Sequence, residues 1–146
     1  MNTFKTIALA TALAVTTTTA LAAGFGERGK WESGWGMGQS EYASGTRQGH
    51  LYFSCDSTEG RVSSLMFSRP GQASADSFIL TVDGQPVQVH SIDTPAGRQQ
   101  WPGIYRALRT GKNVSVTIGN RTYPVPSRDA ARVIEPWGGK DFSCRP

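Results

Sequence analysis

The sequence contains few residues with the chemistry to hold a metal ion or a reaction centre, and they are widely spaced. His50 precedes a predicted strand, and His90 has Asp93 as its one acidic neighbour. Metal sites favour histidine, cysteine and carboxylate ligands at short spacing, and neither HExxH nor CxxC occurs. We therefore predict no catalytic residue, no metal and no cofactor. A metal site or a Ser-His-Asp triad assembled at long range is the alternative.

A glycine pattern near the N-terminus matches a nucleotide-binding motif by residue type. Residues 24–29 read G-x-G-x-x-G. The dinucleotide-binding motif requires a strand before these glycines and a helix after them. Here a predicted leader precedes them, so the pattern does not predict nucleotide binding.

The first 22 residues have the pattern of a secretory signal peptide. Lys5 is the positive charge, residues 7–15 form an apolar run, and residues 20–22 read Ala-Leu-Ala, a typical cleavage site. A buried N-terminal helix is the alternative. The apolar run is too short to span a bilayer, so we expect no transmembrane segment in the mature protein. The sequence therefore predicts a periplasmic or secreted location.

The two cysteines, Cys55 and Cys144, are far apart in the sequence. Export would place them in an oxidising compartment, where such a pair normally forms a disulfide bond. The bond would join a strand early in the domain to the end of the chain. Two free thiols are the alternative.

Length and charge narrow the class of protein. A chain of 146 residues, 38% hydrophobic and 18% charged, suits one domain. The net charge of +4 is scattered without a basic run, so no nucleic-acid partner is expected. Trp31 and Trp35 are candidate binding residues because tryptophan joins an apolar body to a polar tip. Arg69 and Arg98 are candidates because arginine presents a planar fork of donors.

The hydrophobic pattern predicts an α+β, mainly β, single domain. Residues 23–39 are predicted to be a Gly/Trp-rich arm, and residues 40–146 the β-rich domain. Alternating apolar and polar residues predict five to seven short strands in one curved antiparallel sheet. The dipeptides Asp83-Gly84 and Gly119-Asn120 predict hairpin turns.

Two short helices are expected in the C-terminal half. Apolar residues recur every three or four positions over residues 101–110, which predicts the first helix. Ser127 is the predicted N-cap of the second, which runs to about Glu135. Residues 91–100 are predicted to be a polar loop.

The order of elements in the second half gives a resemblance to a known family. Residues 78–84, FILTVDG, predict a strand and turn, and residues 108–116, LRTGKNVSV, a helix end and a strand. A strand at Tyr123-Pro124-Val125 and the helix start at Ser127 follow. This segment resembles small bacterial periplasmic proteins of the invasion-associated locus B type. The resemblance implies an exported, non-enzymatic, β-rich domain.

A second resemblance involves the first cysteine. Residues 52–55 read Tyr-Phe-Ser-Cys. This is similar to the Tyr-x-Cys motif of periplasmic lysozyme inhibitors, with one residue more between tyrosine and cysteine. The resemblance implies an inhibitor, which would need a protruding loop to insert into a hydrolase. Residues 91–100 or 69–77 are the candidate loops, and Arg69 or Arg98 would reach the acidic cleft.

Export, a disulfide and a β-rich core predict a non-enzymatic binding protein of the bacterial periplasm. Its partner is expected to be another protein or an envelope component. The alternative is an inhibitor or immunity protein that blocks a cell-wall hydrolase, either a lysozyme or an amidase.

Overall fold

Two antiparallel sheets of four strands each form the frame of the molecule. The structure, a computed structural model, describes residues 22–146, so nearly all of the predicted signal peptide lies outside the described residues. The first sheet follows chain order: β1 (Glu32–Gly36), β2 (Gln39–Thr46), β3 (Gly49–Asp56) and β4 (Arg61–Ser68).

The second sheet has its strands in a different spatial order from the chain. Its strands are β5 (Phe78–Val82), β6 (Gln85–Val89), β7 (Val114–Ile118) and β8 (Arg121–Val125), arranged β6-β5-β7-β8. Helix α1 (Pro95–Thr110) connects β6 to β7, and the short helix α2 (Ala130–Val133) follows β8. No helix of the described residues is long and apolar enough to cross a membrane.

One aromatic core joins the two sheets and α1. Phe53 of β3 stacks on Tyr42 of β2, with ring centres 4.6 Å apart, and contacts Trp101 of α1 at 5.2 Å. Phe67 of β4 contacts Tyr123 of β8 at 5.1 Å. The hydroxyl of Ser44, which is buried, donates to the carbonyl of Pro126 at 2.6 Å. These contacts make both sheets parts of one domain.

The predicted mainly-β α+β class is confirmed. Residues 22–146 form eight strands, more than the predicted five to seven, and these strands divide into two sheets where one curved sheet was predicted. The additional strand is β1, inside the predicted arm of residues 23–39. Glycines at 34 and 36 weaken its strand pattern, but it pairs with β2 along its whole length.

Helix α1 begins six residues earlier than predicted. Thr94 is the N-cap, and its hydroxyl accepts a hydrogen bond from the N–H of Gly97 at 3.1 Å. Pro95 occupies the first turn, where its missing N–H costs nothing. Residues 95–100 carry polar and small side chains, so the apolar period is visible only from Trp101 onwards. Residues 95–100 are therefore helix, and the polar connection before α1 is short.

The second helix has a different cap from the predicted one. Asp129 is its N-cap residue, with a φ of 66°, and α2 has four residues. The Ser127 hydroxyl donates instead to the carbonyl of Lys112 at 2.7 Å. Ser127 therefore fastens the end of β8 to the start of β7.

Candidate functional site

The β1–β2 hairpin presents two large apolar side chains to solvent. Trp35 is 72% exposed, and Met37 is fully exposed. Met37 and Gly38 form a two-residue turn in which both have positive φ, 50° and 78°. This backbone matches the twist of a tight hairpin, so the turn projects Met37 outward.

The hairpin tip is fastened to the neighbouring β3–β4 turn. The N–H of Ser57 donates to the Gly38 carbonyl at 2.9 Å. The Gln39 amide donates to a carboxylate oxygen of Asp56 at 3.3 Å, and the Ser63 hydroxyl donates to the Gln39 side-chain oxygen. A surface held in this way loses little conformational entropy when a partner binds.

Asp56 organises the turn that supports the tip. Its carboxylate accepts hydrogen bonds from the backbone N–H groups of Glu59 at 2.9 Å and Thr58 at 2.8 Å. These two hydrogen bonds, of which the one from Glu59 has the larger effect, hold the pKa of Asp56 below its usual value. The carboxylate is therefore ionised near neutral pH and keeps the turn in place.

The other predicted tryptophan, Trp31, lies in the core. It is 1% exposed, its ring lies 5.8 Å from that of Phe53, and its backbone N–H donates to the Arg128 carbonyl. Trp31 precedes Trp35 by four residues, and in a strand both positions share a face. Trp31 lies just before β1 begins and is buried, whereas Trp35 lies within β1 opposite Ser40 and is exposed. Trp31 is therefore not available to a partner.

The two predicted arginines have different surroundings. Arg98 lies in the first turn of α1, and its guanidinium donates to the carbonyls of Asp93 at 3.0 Å and Ile92 at 3.3 Å. It therefore braces the start of the helix. Arg69 follows β4 and lines a cavity together with Arg47 and Arg121, which the sequence pattern did not single out. These three arginines come from separate connections, so no local motif marks them.

The histidines lie apart from each other and from any acidic cluster. His50 is half-buried in β3 and His90 is exposed after β6. Within residues 22–146, no group of three or more histidine, cysteine or acidic side chains is close enough to hold a metal ion.

Cys55 and Cys144 are joined in the structure, with their Cα atoms 5.1 Å apart. Cys55 lies opposite Ser40, next to the hairpin tip. Hydrogen bonds also hold the C-terminal tail, residues 144–146. The Trp101 indole N–H donates to the Cys144 carbonyl at 2.7 Å, and the Val62 N–H donates to the Arg145 carbonyl at 2.7 Å. Trp35 is paired with Ser40, and Ser40 with Cys55, so the C-terminal segment packs on the face of the first sheet that also carries Trp35.

A comparison with protein families matches residues 29–134 to the family described as YfjT. The chain belongs to the YfjT family. The YfjT region begins just before β1 and ends just after α2, so it contains the hairpin and the three arginines. Cys144 lies beyond the YfjT region, whereas Cys55 lies inside it. No curated protein and no solved structure matches the chain. The YfjT match does not bear on the two resemblances drawn from sequence motifs.

Proposed function

We propose that the protein is an exported, non-enzymatic binding protein of the bacterial periplasm, and that it docks on a protein partner through the β1–β2 hairpin tip. The exposure of Trp35 and Met37 on a fastened turn carries this proposal. Both side chains act by burial in an apolar pocket and neither transfers protons. Their chemistry therefore favours binding over catalysis.

The energetics of exposed aromatic residues support a docking role. Tryptophan is enriched among the residues that dominate protein interfaces, and methionine adapts to irregular apolar pockets. Phe25 is also partly exposed, and it lies beside Gly34 of the same edge strand. Of the five exposed large hydrophobic residues within residues 22–146, three are thus on or beside β1. The partner is expected to offer a concave apolar pocket that receives the tip.

Export is supported by the leader pattern and by the cysteine pair. A disulfide between Cys55 and Cys144 is the chemistry of an oxidising compartment. The periplasm is such a compartment, and the leader in residues 1–22 would direct the chain there.

The first prediction concerns capture of the partner by the hairpin. Affinity-tagged wild-type protein and its Trp35→Ala and Met37→Ala variants would be used as bait in envelope extract, with quantitative mass spectrometry. We expect Trp35→Ala to reduce the recovery of the partner at least about tenfold, since truncation of a central interface residue costs 2 kcal/mol or more. Calorimetry with the purified partner then gives the affinities directly.

Ile79→Ala is the matched control, because Ile79 is an exposed apolar residue on the second sheet. It should leave recovery unchanged. A partner that binds the Trp35→Ala variant as well as wild type would contradict the proposal. If the partner is a lysozyme or an amidase whose activity falls on binding, the inhibitor form of the function is supported.

A further inference from the structure

The cavity lined by Arg47, Arg69 and Arg121 lies at the β2–β3 turn, the opposite end of β2 from the hairpin tip. It has a volume of about 670 Å³, within the range of small-molecule sites. Three connections line it: Arg47 and Gln48 from the β2–β3 turn, Arg69 and Gln72 from the segment after β4, and Asn120 and Arg121 from the β7–β8 turn. Strand β2 separates the β2–β3 turn from the hairpin tip, so this arginine cavity is independent of the proposed docking surface.

The arginine cavity is positively charged. None of the described residues that line this cavity is acidic. Arg69 and Arg121 take part in no ion pair within residues 22–146. The Nε of Arg69 is buried and has no hydrogen-bond partner in this part of the chain. Leaving a buried charged donor unpaired is unfavourable, and a small shift of the Arg69 side chain toward an anion in the cavity would supply its acceptor.

The acidic residue on the far side of Arg69 has another role. Glu27 lines a smaller cavity of about 190 Å³ that shares only Arg69 and Pro70 with the arginine cavity. Its carboxylate accepts a hydrogen bond from the Gly24 N–H at 3.0 Å. Glu27 is therefore bonded to its own segment and does not line the larger cavity.

We infer that the arginine cavity binds an acidic sugar. Arginine binds carboxylates through two parallel hydrogen bonds, and three arginines suit a ligand with more than one negative charge. The amides of Gln48, Gln72 and Asn120 each carry donors and an acceptor, which is the pairing that sugar hydroxyl groups require. An acidic disaccharide meets both requirements, whereas a bare inorganic anion uses only the arginines.

Calorimetric titration of the full-length exported protein tests this inference. The probes are digalacturonate, lactose as a neutral disaccharide, and inorganic phosphate as a bare anion. Digalacturonate should bind at least tenfold more tightly than either of the others. Absence of digalacturonate binding, or equal affinity for lactose or phosphate, would overturn the assignment.

Charge-removing variants locate the binding. Arg69→Gln and Arg121→Gln should each weaken digalacturonate binding at least tenfold, and Arg69→Lys should weaken it as well because the fork is lost. Arg132→Gln makes the same charge change at an exposed position of α2 and should alter affinity less than twofold. Arg121 is exposed, so its variant remains informative if Arg69→Gln fails to fold. Equal affinity in the Arg121→Gln and Arg132→Gln variants would place binding elsewhere. Trp35→Ala should leave digalacturonate binding intact.

Discussion

Asp83 is a single residue that joins two connections of the second sheet. With Gly84 it forms the β5–β6 turn, and the two have φ values of 49° and 83°. Its carboxylate accepts hydrogen bonds from the N–H groups of Asn113 at 2.8 Å and Lys112 at 3.1 Å. Its own N–H donates to the Asn113 carbonyl at 2.8 Å. The turn dipeptide was predictable from the sequence, but the link to the α1–β7 connection was not, since it depends on β7 lying beside β5.

The second prediction concerns how the stability of the fold depends on pH through Asp83. The hydrogen bonds from Asn113, and to a lesser extent from Lys112, lower the pKa of Asp83 below its usual value. A carboxylate with a lowered folded-state pKa stabilises the fold above its unfolded pKa, and this contribution is lost as pH falls through the folded pKa. Asp83→Asn should therefore unfold at lower urea concentration than wild type at pH 7. The difference should shrink at pH 2.5.

Asp76→Asn is the control for this comparison. Asp76 is exposed, and its carboxylate accepts no hydrogen bond within the described part of the chain. Its variant should match wild type at both pH values. A difference between Asp83→Asn and wild type that is equally large at pH 2.5 and pH 7 would mean that the turn does not depend on the ionised carboxylate.

At the scale of elements, the strands with clean alternation were predictable and the helix boundaries were not. Strand β5 lies within residues 78–84, the segment predicted to form a strand and turn. Helix α1 begins at the N-cap Thr94 and at Pro95. These two residues favour a helix start there, although residues 95–100 lack the apolar period of a helix. Strand β1 has low intrinsic strand preference, and its pairing with β2 overrides that preference.

The third prediction contrasts two glycines of α1. Gly97 is buried, and a Cβ there would meet the backbone carbonyls of Ser91 and His90, the latter at 2.7 Å. Gly97→Ala should therefore destabilise the protein by about 1–3 kcal/mol, because the backbone must move. Gly103 is exposed, with nothing within 4 Å of the added Cβ. Gly103→Ala should stabilise the protein by about 0.5–1 kcal/mol through helix propensity.

Urea unfolding of the two variants and wild type measures both effects. Each variant makes the same chemical change in the same helix, so each controls for the other. A shift of stability in the same direction for both variants would contradict the close approach of α1 to residues 90–91.

At the scale of the whole molecule, the assembly of sites was the least predictable feature. Trp35 was identified from its residue type, but its exposure depends on β1 being an edge strand of the first sheet. The fully exposed Met37 was missed because one methionine between two glycines carries no periodic signal. The arginine cavity needs Arg47, Arg69 and Arg121 from three connections. Their meeting follows from the packing of one sheet on the other, which local patterns do not specify.

The fourth prediction concerns the bond between Cys55 and Cys144, which closes most of the domain into one loop. The two residues are 89 positions apart, so in the chain-entropy model the bond stabilises the fold by about 4–5 kcal/mol. A reducing agent should therefore lower the Tm of the wild-type protein.

The Cys55→Ala/Cys144→Ala variant should show the lower Tm with or without reductant, which separates loss of the bond from other effects of the reagent. Hydrogen bonds from Trp101 and Val62 to the tail persist in that variant, so it should still fold. A wild-type Tm that reductant leaves unchanged, with the thiols shown to be reduced, would mean that the tail is held by those hydrogen bonds and packing alone.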